Sequence, residues 1–256
     1  MNIQSLTNAQ ILSTAPSIFS GSPKAGLSEK YSFIPTFDVV DAMSKEGFMP
    51  MQAVQTRSRK EGNAFYAKHM VRFRHQGSIG TSEFPEIVLI NSHDGTSAFK
   101  LLAGYFRMVC GNGLIVGSML NQITVRHAGS IADDVIEGSY KVLSDIRENE
   151  GKISSYKGTM LSWDDQSRFA NAAMQLRWGD SSPISAQSLL TMRRIEDNSD
   201  DLWTVFNRIQ ENVLRGGLTG WTSNNRRMTT RGVRSIDENI RLNRQLWDLA
   251  DTYAVN

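Results

Sequence analysis

A single cysteine, Cys110, stands in 256 residues, so no disulfide can close within the chain and a fold stapled by bridges is excluded. In the apolar context MVCGN it reads as a small hydrophobe with no activating partner. Histidine is also scarce. His69, His75, His93 and His127 are scattered, and none falls in the spacing of a metal motif. Long apolar runs are missing: nowhere do about 18 apolar residues follow one another, so no membrane span is expected. The first stretch, MNIQSLTNAQILSTAPSIF, lacks a basic segment followed by a long apolar core, so no export is expected either. A reducing, cytoplasmic setting is the expectation. An excess of one charge is missing as well. With 28 Lys and Arg against 26 Asp and Glu the formal net charge is +2, which does not by itself announce a nucleic-acid binder.

What the chain does have is segregated charge. Between Met51 and Gly80 stand Arg57, Arg59, Lys60, Lys68, Arg72 and Arg74 against Glu61 alone. Between Ile131 and Glu150 stand Asp133, Asp134, Glu137, Asp145, Glu148 and Glu150 against Lys141 and Arg147.

Taken in order, Met1 to Pro35 shows no sustained period and is rich in Ser, Thr, Gly and Pro. It reads as an N-terminal arm (1–35) anchored by Tyr31, Phe33 and Ile34, packing on its own domain or on a neighbouring subunit. A sheet-and-helix core (36–128) follows. Thr36 as N-cap and Gly47 beyond the C-terminus frame a short helix over Phe37–Glu46. Met51–Arg59, Phe65–His75 and Phe84–Ile90 read as strands, the first two joined by the Lys60–Asn63 turn. Phe99, Leu102, Ala103 and Phe106 recur at helical spacing after Thr96 or Ser97, with Lys100 and Arg107 on other faces, and Gly111 and Gly113 end that helix. Leu114–Val116 and Gln122–Arg126 read as a further hairpin.

The remainder (129–256) reads as helical. Ser130 with Asp133 and Ser162 with Asp165 resemble capping boxes, closed by Gly151 and Gly179. A third helix covers about Asp200 to Leu214, with Leu202, Val205, Phe206, Ile209 and Val213 as its stripe, and ends at Gly216–Gly217. A polar loop, GGLTGWTSNNRRMTTRG (216–232), precedes a last helix capped by Ser235 and Glu238. The fold class is therefore α+β, an antiparallel sheet flanked by helices with a helical C-terminal half.

Alternation along the second strand puts Phe65, Ala67, His69, Val71 and Phe73 on one face and Lys68, Met70, Arg72 and Arg74 on the other. One face packs on a core while the other presents cations, and cations in register neutralise phosphates. A solvated polar sheet face is the plain alternative. Arg226, Arg227, Arg231 and Arg234 form a second basic segment, able to clamp a strand or simply to be solvated. Phe65 and Tyr66 are the nearest stacking platforms, although core packing suits Phe65. No nucleophile, base and orienter assemble. Asp133, Asp134 and Glu137 begin a helix, where acids favour the macrodipole, and Gly111-Asn112-Gly113 is too short for a phosphate loop. Neither catalysis, a metal nor a cofactor is expected.

Three stretches, LSEKYSFIPT, FRMVCGNGL and RRMTTRGVRSIDENIRLNRQLWDLA, resemble the phage and plasmid-like family catalogued as domain of unknown function 932, carried by prophages and conjugative plasmids. That resemblance spans most of the chain and implies no activity. The order helix, Gly47-Phe48, three-stranded antiparallel sheet and helix bearing Lys100 and Arg107 is similar to the core of single-strand annealing proteins such as RecT, Redβ and Erf. It implies rings or filaments that hold single-stranded DNA in a basic groove without nucleotide hydrolysis, and it carries no individual binding residue across. The expectation is a homo-oligomer that binds and anneals single-stranded DNA in phage or plasmid recombination. Arg57, Arg59, Lys60, Lys68, Arg72, Arg74, Lys100, Arg107, Arg226, Arg227, Arg231 and Arg234 are its candidate contacts. The alternative is a mobile-element module that acts on a host protein, with the acidic helix Ile131–Glu150 as its surface.

Overall fold

The computed structural model describes residues 5–28, 31–57, 62–76, 83–107, 112–115, 131–222 and 224–254. They fall into two compact units, Met1–Arg147 and Glu148–Asn256. The fold is α+β.

The first unit is built on a five-stranded antiparallel meander: β1 (Phe48–Gln55), β2 (His69–His75), β3 (Glu83–Asn91), β4 (Lys100–Arg107) and β5 (Asn112–Ile115), neighbours in that order. Register places Val71 opposite Leu89 and Leu89 opposite Leu101, and all three are fully buried. β2 is buried at every position from His69 to Arg74, so the sheet has no half-polar central strand. The expected helix at Phe99–Phe106 is instead β4. A strand buried on both faces reads as a continuous apolar run without alternation, and its spacing can mimic a helical stripe. Asp94 and Gly95 turn the chain into it: Asp94 Oδ1 accepts from the Thr96 amide at 3.0 Å, and Gly95 takes φ +75°. Cys110, Gly111 and the proposed strand Gln122–Arg126 lie outside the described residues.

The N-terminal segment packs on its own unit. α1 (Asn8–Thr14) is closed at its start by a reciprocal Thr7–Gln10 capping box and buries Ile11, and the following 3-10 turn buries Ile18. Leu6 N–H donates to the Pro50 carbonyl at 2.7 Å, and Ser17 N–H to Gln55 Oε1 at 2.9 Å, which lays the segment along β1. α2 (Thr36–Lys45) starts one residue earlier than its cap predicts. Pro35 is the N-cap, and the Thr36 hydroxyl lies 2.9 Å from His69 Nε2 and accepts from Asn91 Nδ2 at 3.0 Å. His69 Nδ1 completes this interior network beside Ser17 Oγ at 2.9 Å.

α3 (Ile131–Gly158) runs past Gly151, where a helix end was expected. Gly151 meets nothing within 4 Å. A glycine in an exposed helix interior costs only about 1 kcal/mol, and burial of Ile153 and Tyr156 beyond it holds the helix together.

In the second unit α4 (Trp163–Trp178) begins at the predicted Ser162–Asp165 capping box and ends at Gly179. α5 (Leu202–Arg215), capped by Asp201, is buried along its whole length up to Leu214. Away from its apolar stripe it buries polar side chains, because an irregular segment wraps it and supplies carbonyls. Asn212 donates to the carbonyls of Leu189 and Thr191 at 2.9 and 2.8 Å, and Arg208 to those of Asp197 and Ser199 at 2.7 and 2.8 Å. Its apolar stripe joins α6 (Ile236–Asp251) in an aromatic cluster in which Phe206 meets Trp247 edge-on at 5.9 Å. Truncating such a ring to Ala typically costs about 3–5 kcal/mol. The loop expected at 216–232 contains a short hairpin, β6 (Thr219–Trp221) and β7 (Arg227–Thr229).

Candidate nucleic-acid interface

In the first unit the expected cationic sheet face is not assembled. Arg72 and Arg74 are 4% and 6% exposed, and both donate to one carboxylate: Arg72 Nε to Glu86 Oε2 at 2.8 Å and Arg74 Nη2 to Glu86 Oε1 at 2.9 Å. Glu86 lies on β3, where it continues the antiparallel register that sets Phe73 against Ile87. Two guanidiniums bound to one buried acid form an internal ion cluster, since charges leave water only when paired. Lys68 and Lys100 are partly exposed, Lys68 just before β2 and Lys100 at the start of β4. Arg57 is exposed at the start of the β1–β2 connection, and the Thr56 amide donates to the Lys68 carbonyl across that connection at 2.8 Å. Phe65 is 51% exposed in the 3-10 turn Asn63–Tyr66, neither on the strand nor in the core. Arg59 and Lys60 lie outside the described residues, as does the Arg107 side chain.

The second basic segment is placed differently. Arg226, Arg227, Arg231 and Arg234 are all exposed, and Arg227 stands directly across from Trp221 in the β6–β7 ladder. Cross-strand partners share a face. Thr219, Trp221, Arg227 and Thr229 are exposed together, with Trp221 at 60%, while Gly220 is buried on the reverse side. The hairpin sits flush on the chain after α4: Trp221 N–H donates to the Pro183 carbonyl at 2.8 Å, and a Cβ on Gly220 would lie 2.0 Å from that same oxygen.

Beside the hairpin runs a groove of about 950 Å³, lined among others by Arg177, Trp178, Asp180, Trp221, Thr222 and Arg231. Arg177 and Trp178 come from the last turn of α4, and Asp180 from the 3-10 turn Gly179–Ser181. The Arg177 guanidinium is stacked over the Trp178 ring, 4.6 Å from its centroid, and donates to the Arg231 carbonyl. Burial pulls its pKa below the usual arginine value, against the pull of nearby Glu238. Indoles and guanidiniums lining one groove are the components that hold an unstacked strand, bases on π faces and phosphates on cations.

The sequence reading missed Arg177, Trp178, Asp180 and Trp221. A signal was present for one of them. Trp221 is a large aromatic in an otherwise polar loop, where no core explains it.

A family model described as "Domain of unknown function (DUF932)" matches residues 25–247. The chain belongs to that family. The DUF932 match takes in the sheet, α4, α5 and the hairpin. The chain is similar to the UPF0380 protein YafZ of Escherichia coli (strain K12), 42% identical over 247 residues that cover 96% of this chain and 90% of that protein. It is also similar to the UPF0380 protein YfjQ of the same strain, 42% identical over 248 residues, 96% of this chain and 91% of that protein. No solved structure matches. Among the described residues no helix is long and apolar enough to cross a membrane.

Proposed function

We propose that this protein binds single-stranded DNA on the outer face of the β6–β7 hairpin and the groove beside it, and that it promotes strand annealing in phage or plasmid recombination without nucleotide hydrolysis. The observation that carries this is the exposed Trp221–Arg227 pair, held rigidly at the rim of a groove that contains a second indole and two more arginines. Stacking on an exposed indole is available to a base only in an unpaired strand, so the arrangement favours single strands over duplex. Arg226 and Arg234 extend the cationic surface along the same segment. Arg57, Lys68 and Lys100 in the first unit are additional phosphate contacts in this proposal, while Arg72 and Arg74 serve the interior. The site of action is the cytoplasm, and the working form is a homo-oligomer.

Fluorescence anisotropy with labelled single- and double-stranded oligonucleotides across a salt series tests the proposal, with light scattering for the oligomer. Single strands should bind more tightly than duplex, and affinity should fall steeply as salt rises. Absence of binding at low salt would overturn it, and a stoichiometric pull-down of a host protein without nucleic acid would then favour the interaction-module alternative.

A further inference from the structure

The groove holds a charge that phosphate binding does not need. A surface built only for a phosphate backbone carries cations, yet Asp180 lines this one together with Arg231 and both indoles. Asp180 and Arg231 are exposed, and neither side chain has an ion-pair partner among the described residues. An open carboxylate repels phosphate, so it is useful in such a groove only where it accepts hydrogen bonds from what enters.

A carboxylate offers two oxygens side by side and no donor. Among the four bases, guanine alone sets two neighbouring donors, N1–H and the N2 amino group, on one edge and two neighbouring acceptors, O6 and N7, on another. Adenine and cytosine pair an amino group with a ring-nitrogen acceptor, and thymine sets its one N–H between two carbonyls. Each of these turns an acceptor toward the carboxylate. Arginine is the usual bidentate partner of O6 and N7. A volume of about 950 Å³ is at the upper end of the range of small-molecule pockets, roughly 300–1,000 Å³, so a whole nucleotide fits.

We infer that the groove is a guanine-selective subsite, in which Asp180 accepts from N1–H and the N2 amino group of one unstacked guanine, Arg231 donates to O6 and N7, and the Trp178 and Trp221 rings supply the stacking faces. This rests on the single-strand reading and adds to it a base preference.

The test is anisotropy at fixed salt with a labelled thymine oligonucleotide and with the same oligonucleotide carrying one central guanine, adenine or cytosine, so that no guanine-rich structure forms. The guanine oligonucleotide should bind about tenfold more tightly than the others, the size of one good bidentate contact. In Asp180→Asn that ratio should fall to near one, because an amide turns a donor toward the N1–H and N2 edge. Circular dichroism melts of both proteins show whether the variant is folded. Equal affinity for all four oligonucleotides, or a preference that survives in folded Asp180→Asn, would overturn the guanine subsite and leave single-strand binding standing. Absence of binding to any of them would overturn both.

Discussion

Trp221 and Arg227 face each other across the β6–β7 ladder on the side of the hairpin turned to solvent. The pair is fixed from behind, where Gly220 lies against the Pro183 carbonyl. Replacing Trp221 by Ala should weaken single-strand binding by about 1–3 kcal/mol, the usual worth of one stacked base, while stability changes by no more than about 0.5 kcal/mol because the ring is 60% exposed. Arg227→Ala should instead lower the slope of log affinity against log salt by about 0.7, one released counterion on a single strand. Anisotropy across salt separates the two effects.

Gly220→Ala tests whether the rigid seating matters. The added methyl would overlap the Pro183 carbonyl and approach Ile184 Cγ2 at 2.7 Å, so the hairpin must lift. Overpacking of this kind costs about 1–3 kcal/mol. Helical content measured by circular dichroism should persist while single-strand affinity drops at least as far as in Trp221→Ala. Unchanged affinity would separate the hairpin's position from binding.

Glu86 binds both Arg72 and Arg74, and its removal takes one buried carboxylate away from two buried guanidiniums. Glu86→Ala should destabilise the protein by about 3–5 kcal/mol, as measured by urea unfolding. Arg72→Ala and Arg74→Ala should likewise lower the unfolding midpoint, and their folded fractions should bind single strands with wild-type affinity. A loss of affinity in a fully folded Arg74 variant would return that residue to the interface.

The His69–His93 interior sets a pH limit. Burial pulls His69 down to about 3 and His93 down to about 4. Both values lie below the unfolded value of about 6.5, so in acid the unfolded chain binds protons that the folded chain refuses. Stability fully present above pH 6.5 should therefore be lost as pH falls from about 6.5 toward 4 and below. At about 1.4 kcal/mol per pKa unit the loss is on the order of several kcal/mol. Urea midpoints from pH 7.5 to 4 measure it, and His69→Asn should flatten the decline in that window. Tyr156 acts at the other end. Burial and its hydrogen bond to Asp251, 2.6 Å long, raise its pKa, so its contribution is lost above about pH 10 as the unfolded phenol ionises.

Much of the backbone was legible from local chemistry. The Ser162–Asp165 box, Gly179 and Gly216 as helix ends, and the stripe of Leu202, Val205, Phe206, Ile209 and Val213 depend on neighbours within a turn or two, and each formed as its pattern implies. Alternation along β2 was legible too, from Ala67 onward. What alternation cannot say is whether a face meets water. Glu86 decided that for Arg72 and Arg74, and nothing in the spacing of β2 reveals a carboxylate on the next strand. β4 was lost for a related reason: burial on both faces erases the period that marks a strand, though Gly104, in the middle of the supposed helix, argued against one.

The candidate interface depends on long-range placement in the same way. Trp178 ends one helix and Trp221 closes a strand after the next, and local pattern reveals only that each is aromatic and near a glycine. Their meeting around one groove follows from the Trp221–Pro183 hydrogen bond and from the absence of a side chain at Gly220, contacts between segments far apart in the chain. Local pattern determined the elements of this protein. Which of its arginines are interior and which are exposed was settled by the folded arrangement, because burial is a property of the neighbours that folding brings together.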